Sequence, residues 1–314
     1  MDEYAPRRAD LRSAATLRTQ GVHRPERSAE LVRVRRGLYV AEDAWPGTER
    51  EARHFVRMQA VAAATSDPVF SHESAALLWG IPIVGRLGGV HLMAGAKIGR
   101  RTRGDVVWHN HRLGDRDIVE IDGFAATSLE RTAFDLAASR SPQTGVSAVD
   151  AVLRARLVSA LGTQVAGLAK DELIEAFRAR PRARGIRGAL MCAAFADARS
   201  GSAGESVSRW HLHRLGFPAP ELQVPFARLD GGVDVVDFDW PEYERFGEFD
   251  GFGKYVREPL TGGRTIEQVV WAEKQREDRV RRHRPRGSRW EWADVMDPRR
   301  LERLLLADGL PKVR

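Results

Sequence analysis

Four carboxylates lie close together in the C-terminal third of the chain: Asp237 and Asp239 in "VDVVDFDW", and Glu248 and Asp250 in "RFGEFDG". Within each pair the residues are two apart, a spacing that puts both side chains on one face of a β-strand. Carboxylates among residues of buried type are costly unless they are hydrogen-bonded, paired with cations or bound to a metal. Hard oxygen donors suit Mg2+, which takes a few carboxylates together with water and phosphate oxygens. Such an ion activates water and stabilises the charge developing on a scissile phosphate. Glu205, one helical turn before Arg209 in a preceding segment, completes a candidate set for metal binding with Asp237 and Glu248. Acids at strand ends also pair with arginines or cap turns, and Asp230, Asp234 and Asp239 fit that plainer role.

The elements needed to position these acids can be read nearby. Residues 203–215 have helical composition and stop at Gly216 and Pro218. Three strands follow, joined by tight turns at Asp230-Gly231-Gly232 and Pro241-Glu242. Then come a charged helix in "TIEQVVWAEKQREDRVRRHR", a short strand in "RWEWADVMD" and a closing helix in "DPRRLERLLLADG". Six arginines between Arg279 and Arg289 offer a phosphate-binding surface beside the acids.

At the other end, residues 8–20 read as a helix ending at Gly21, and "VHRPERSAE" as a turn and short helix. "LVRVRRGLYV" reads as a hairpin turning at Arg36-Gly37. Helix, helix, basic hairpin is the order of a winged helix-turn-helix. Arg24 and Arg27 then lie at the recognition helix, with Arg33, Arg35 and Arg36 on the wing where they reach phosphate or the minor groove. Between the two ends, "EARHFVRMQAVAAAT" is a strong helix, "GVHLMAG" and "GDVVWHNHRL" are strands, and "IVEIDGFAATSLERTAFDLAAS" is strand, turn and helix capped at Thr127 or Ser128. Helices are expected at 144–160 and 171–179, with the Arg-, Pro- and Gly-rich 178–190 as a linker.

His109 and His111 alternate on a strand and would both reach one metal, but no cysteine or third histidine is near in sequence, so they read as a satisfied or exposed pair. His72 reads as a helix-start residue, and His211 and His213 fall on different sides of the helix that carries Glu205. P-loop, dinucleotide and Ser/His/Asp signatures do not occur, which leaves NTPases, oxidoreductases and common hydrolases unsupported.

The 314 residues suffice for two or three domains, 43% are hydrophobic, and the net charge of +7 favours a polyanion partner. Only five basic residues are lysines, so arginine abundance alone says little about nucleic acid. No apolar run reaches membrane-spanning length and the first residues lack a signal-peptide core. The single cysteine, Cys192, fits a reducing compartment, and a cytoplasmic protein is expected.

Two resemblances sharpen these readings. "DFDW" followed by "GEFDG", between a helix bearing Glu205 and the helix "EKQREDRV", resembles the restriction-endonuclease-like PD-(D/E)xK superfamily, and in particular small very-short-patch-repair-like domains. That resemblance implies catalytic roles for Glu205, Asp237 and Glu248 with Mg2+. It also implies a lysine at position 250, where this chain has Asp250, leaving Lys254 or Lys274 as substitutes. "VRRGLYV", "SHESAALLWG" and "TSLERTAFDLA", over residues 8–160, resemble the AbiEi family of type IV toxin-antitoxin antitoxins. This second resemblance implies promoter binding by the winged helix and a nucleotidyltransferase-like toxin as partner. The expected architecture is therefore α/β (α+β): a winged helix-turn-helix over 1–50, an antitoxin-like α/β domain over 51–180 and a restriction-endonuclease-like domain over 181–314. The expected function is a DNA-binding antitoxin-like regulator with a degenerate nuclease domain. The alternatives are an active Mg2+-dependent endonuclease and a non-catalytic protein that docks a toxin.

Overall fold

The N-terminal basic segment folds as a small three-stranded sheet in the order β1-β3-β2, made of β1 (Arg12–Ser13), β2 (Leu31–Arg35) and β3 (Leu38–Ala41). Gly37, at φ +79°, supplies the left-handed residue the β2–β3 turn requires. Helix α1 (Ala14–Thr19) is capped by Ser13, whose side chain accepts from Thr16 N at 3.0 Å. The second helix expected before the hairpin is a single 3-10 turn over Pro25–Arg27. That turn starts at a proline without a side-chain cap, and β2 begins four residues after it ends.

A computed structural model of the chain describes residues 8–47, 49–94, 102–139, 141–251 and 265–313. Lys254 lies outside them. Among the described residues the fold is mixed α/β, with eleven helices, several small sheets and one four-stranded mixed sheet. No described helix is long and apolar enough to cross a membrane.

The central region begins with α2 (Arg50–Ala63) and α3 (His72–Leu78). Strands β4 (Val90–Met93), β5 (Thr102–Arg103) and β6 (Val106–His109) form one sheet, with β4 parallel to β6. A hairpin of β7 (Ile118–Ile121) and β8 (Phe124–Thr127) lies beside it. Phe70 stitches the two together, bridging Leu92 on one side and Ala126 on the other. Helices α4 (Leu129–Ser139) and α5 (Pro142–Leu153), the hairpin β9 (Arg156–Val158) and β10 (Gln164–Ala166), and helices α6 (Lys170–Arg178) and α7 (Ile186–Phe195) complete this part. The β9–β10 hairpin replaces the end of the helix expected over 144–160. The stretch expected to be a linker contains the start of α7, whose Ala189, Cys192 and Ala193 join the central core. That core runs from Phe55 to Ala196 and also takes in Trp210.

The C-terminal part follows the element order expected for it. Helix α8 (Ala203–Leu215) is capped by Ser202 and ended by left-handed Gly216. Strands β11 (Glu221–Ala227), β12 (Val233–Trp240) and β13 (Arg245–Asp250) are antiparallel neighbours. Helix α9 (Ile266–Val280) then precedes β14 (Arg286–Glu291), which joins the edge parallel to β13. Helices α10 (Trp292–Val295) and α11 (Pro298–Ala307) close the chain over a core that includes Phe238, Trp240, Phe249 and Trp290. Gly204 brings α8 down onto this sheet, because a Cβ there would collide with the Phe249 ring. The two parts are joined through α5 and α8, where Arg209 Nη2 donates to both oxygens of Asp150 at 2.9 and 2.8 Å.

Candidate functional site

Glu205 and Asp237 are brought together by Gln223, and most acids of the C-terminal sheet are held by the protein's own donors. Glu205 is 7% exposed in the first turn of α8, where its Oε2 accepts from Gly201 N at 2.7 Å and from Gln223 Nε2 at 2.9 Å. The same amide nitrogen reaches Asp237 Oδ1 at 3.1 Å, and Asp237 Oδ2 accepts from Phe249 N at 2.9 Å. Glu248 is gripped from two sides, by Arg276 Nη2 at 2.5 Å and Arg289 Nη2 at 2.8 Å. Burial pushes the Glu248 carboxyl up against the pull of these two arginines. Asp250 sits half-buried at the end of β13, and its Oδ1 is buried with no hydrogen-bond partner among the described residues. Lys274 is exposed on α9, with its Nζ 5.9 Å from the Trp271 ring. On α9 it is Arg276, one turn after Glu273, that reaches Glu248.

The surrounding acids take the plainer role. Asp230 accepts from Gly232 N and Arg228, Asp234 takes a two-pronged Arg279, and Asp239 takes a two-pronged Arg284. Of the arginines from 279 to 289, Arg279, Arg284 and Arg289 are thereby committed to carboxylates, and Arg281 pairs with Glu277 at 2.7 Å. Arg282 and Arg286 stand exposed.

On the N-terminal hairpin Arg33 and Arg36 are exposed, as are Arg24 and Arg27 beside the 3-10 turn. Arg35 is turned inward to Asp105 at 2.7 Å.

A second constellation, spread over three segments of sequence, sits in the central region. The strand register puts His91 opposite Val107 and Met93 opposite His109, so His91 and His109 share one face of the β4–β6 pair. His72 opens α3 and lays its ring on that face, stacked on His109 at 3.6 Å between centroids. Ser74 fixes the helix to the strand: its Oγ accepts from His91 N at 2.9 Å and lies 3.0 Å from His54 Nε2. His91 Nδ1 is 2.9 Å from His109 Nε2 and 3.3 Å from Glu73 Oε2. The three imidazoles are 1%, 4% and 5% exposed.

The chain matches no protein-family model, and no curated protein matches it.

Among the described residues, two groups of side chains bring ligand atoms within 4.8 Å of one another: His72, His91 and His109, and His72, His111 and Asp135. The carboxylates of the C-terminal sheet do not form such a group among the described residues. The histidines line a cavity of about 950 Å3 whose other wall carries Arg131 and Arg180 and whose rim carries exposed Arg112, Arg182 and Arg184. Arg131 is held by Asp135 at 2.9 Å and Asp117 at 3.2 Å, and Arg180 by Asp117 at 2.8 Å. Burial keeps His72 well below the ordinary imidazole range, reinforced by His109, His91, His111 and Arg131. Burial also lifts Asp135 to about 6, although Arg131 pulls the other way.

The sequence pairs His109 with His111 as a satisfied or exposed pair. The structure instead buries His109 beside His91 and His72, and leaves His111 exposed at the cavity. Each of the strands "VHLM" and "VVWH" carries one histidine, and both strands were legible in the sequence. The parallel pairing that joins them was not legible.

Proposed function

We propose that the chain is a DNA-binding regulator of the antitoxin type whose C-terminal restriction-endonuclease-like domain holds nucleic acid without cutting it. The reading is carried by the Glu248 clamp: a carboxylate that would serve Mg2+ is instead neutralised by Arg276 and Arg289. A dication approaching Glu248 meets two fixed positive charges and would have to displace both, while Glu205 and Asp237 already accept from Gln223, Gly201 and Phe249. The sheet order β11-β12-β13-β14, with its last strand parallel after a helix, supports the resemblance drawn from "DFDW" and "GEFDG". Exposed Arg282 and Arg286, with exposed Trp271 on the neighbouring helix, suit phosphates and an unstacked base.

The N-terminal hairpin contributes phosphate contacts through Arg33 and Arg36. A three-residue 3-10 turn is too short to lie along a major groove, so the reading gives this end affinity with little base selectivity. The AbiEi-like motifs support a nucleotidyltransferase-like toxin as partner.

The test is binding of a fluorescent duplex over a range of salt concentrations, beside incubation of supercoiled plasmid with Mg2+ or Mn2+. Salt-sensitive binding with intact plasmid is expected, and an Arg33→Ala/Arg36→Ala variant should lower the salt slope by about two. Nicking that disappears in both Asp237→Ala and Glu248→Ala would make the protein an active nuclease. Absence of salt-sensitive binding would remove the DNA reading altogether.

A further inference from the structure

We propose that His72, His91 and His109 form a binding site for a single divalent transition metal of the zinc type, with one coordination position open to the adjoining cavity. Three imidazoles buried together are a poor way to fill a core. Each carries ring nitrogens that require partners, and each brings less apolar surface than the leucine or phenylalanine that would otherwise pack there. Nε2 of His72, on a side chain that is 1% exposed, has no hydrogen-bond partner among the described residues. His72 also holds a left-handed backbone, φ +49°, which costs a residue with a Cβ about 1–2 kcal/mol. The fold thus accepts local strain to point an imidazole at two others.

The spacing suits one ion. Zinc–nitrogen bonds of about 2.0–2.1 Å in a tetrahedron put neighbouring ligand nitrogens about 3.3 Å apart. His91 Nδ1 and His109 Nε2 stand at 2.9 Å, and the ligand atoms of all three residues lie within 4.8 Å, so small side-chain rotations close the set. An all-nitrogen set selects Zn2+ and its neighbours over Mg2+ or Ca2+, which prefer oxygen. Glu73, 3% exposed, supplies negative charge beside the site, its Oε2 lying 3.3 Å from His91 Nδ1. Three protein ligands leave the fourth position of a tetrahedron for water or a ligand, the arrangement of a reactive zinc rather than a structural one. That position opens on the cavity, whose arginine rim fits an anionic ligand.

The test uses the full chain, stripped of metal with a chelator and titrated with Zn2+ by calorimetry, with metal content measured after gel filtration. One equivalent is expected to bind. His91→Ala and His109→Ala should each weaken binding at least a hundredfold, more than the loss of an outer partner of a metal site. His72→Asn tests the strained ligand without disturbing its backbone, since asparagine tolerates the left-handed region. Exposed His213→Ala should bind as the parent does. Circular dichroism of each metal-free variant separates lost ligation from lost fold, and Co2+ in the parent protein should give the intense visible bands of tetrahedral nitrogen coordination. No stoichiometric Zn2+, or unaltered binding in folded His91→Ala, would overturn the proposal. A loss in His111→Ala as large as in His91→Ala would move the ion to the His72, His111 and Asp135 group and overturn this assignment.

Discussion

The side-chain amide of Gln223 bridges Glu205 and Asp237, its nitrogen lying 2.9 Å from one carboxylate and 3.1 Å from the other. Two acids held this close repel when both are ionised, and a shared neutral donor offsets that repulsion without bringing in a metal. Gln223 sits at φ +52°, so the strand is locally bent to deliver the amide. Hydrogen bonds to charged groups contribute about 1.5–3 kcal/mol each. Gln223→Asn keeps a residue that tolerates the backbone but is too short to span both acids. We expect it to lower stability at neutral pH by about 2 kcal/mol, the scale of one such bond. Urea unfolding at pH 7 measures this, and an unchanged midpoint would show that the bridge carries no weight.

Protons test the neighbouring clamp. Burial alone would raise Glu273, but the hydrogen bonds and charges of Arg276 and Arg289 outweigh it and hold the carboxyl at about 2, below its ordinary 4.5. A depressed folded-state value means the stabilisation is complete above pH 4.5 and is lost as pH falls from there toward 2. Glu248, raised by burial, acts in the opposite direction, so the parent protein alone blurs the two. The stability difference between parent and Glu273→Gln isolates Glu273. It should be at most about 3 kcal/mol at pH 6, at about 1.4 kcal/mol per pH unit and reduced by solvent at a side chain 26% exposed, and it should shrink steadily below pH 4.5. A difference that stays constant down to pH 3 would be inconsistent with this pairing.

The link between the two halves of the chain rests on a buried ion pair. Asp150 is fully buried on α5, and it accepts both from Arg209 of α8 and from Asp197 N at 2.8 Å. Removing one partner strands the other charge in the interior, a loss of about 3–5 kcal/mol. Asp150→Ala should therefore lower stability by that amount. Asp150→Ala/Arg209→Met, which removes both charges, should recover much of it, and thermal unfolding of the two variants decides between a true pair and two independent losses.

How much of this could be read from residues alone depended on whether neighbours in space were neighbours in sequence. The α8 helix and the strands carrying Asp237 and Glu248 are written locally, in period-two alternation, Gly-rich turns and a serine cap. The arginine partners of Asp234 and Asp239 come from 45 residues away, and only the parallel return of β14 after α9 brings that segment alongside. The histidine group draws on three segments, with His91 and His109 18 residues apart and joined through a parallel register that no local pattern encodes. At the N-terminus "VHRPERSAE" reads as a turn and a short helix, and the short helix is a 3-10 turn over Pro25–Arg27.

Gly204 sets the height at which α8 rides over β13, and so the depth at which Glu205 enters the sheet. A Cβ at this position would overlap the Phe249 ring, and that ring is itself fixed edge-on against Trp292 at 5.1 Å. The ring cannot simply turn away. Gly204→Ala gains helix propensity of about 1 kcal/mol yet forces α8 off the sheet, and overpacking of this kind costs about 1–3 kcal/mol. We expect a net loss of stability together with a weakened Gln223 bridge, since Glu205 lies next to the displaced residue. Phe249→Leu alone should also destabilise, by removing ring contacts in the core. Combined, the two should be less damaging than their sum, with a coupling of about 0.5–3 kcal/mol in a double-mutant cycle. Strict additivity would mean that the ring does not determine where α8, and Glu205 with it, comes to rest.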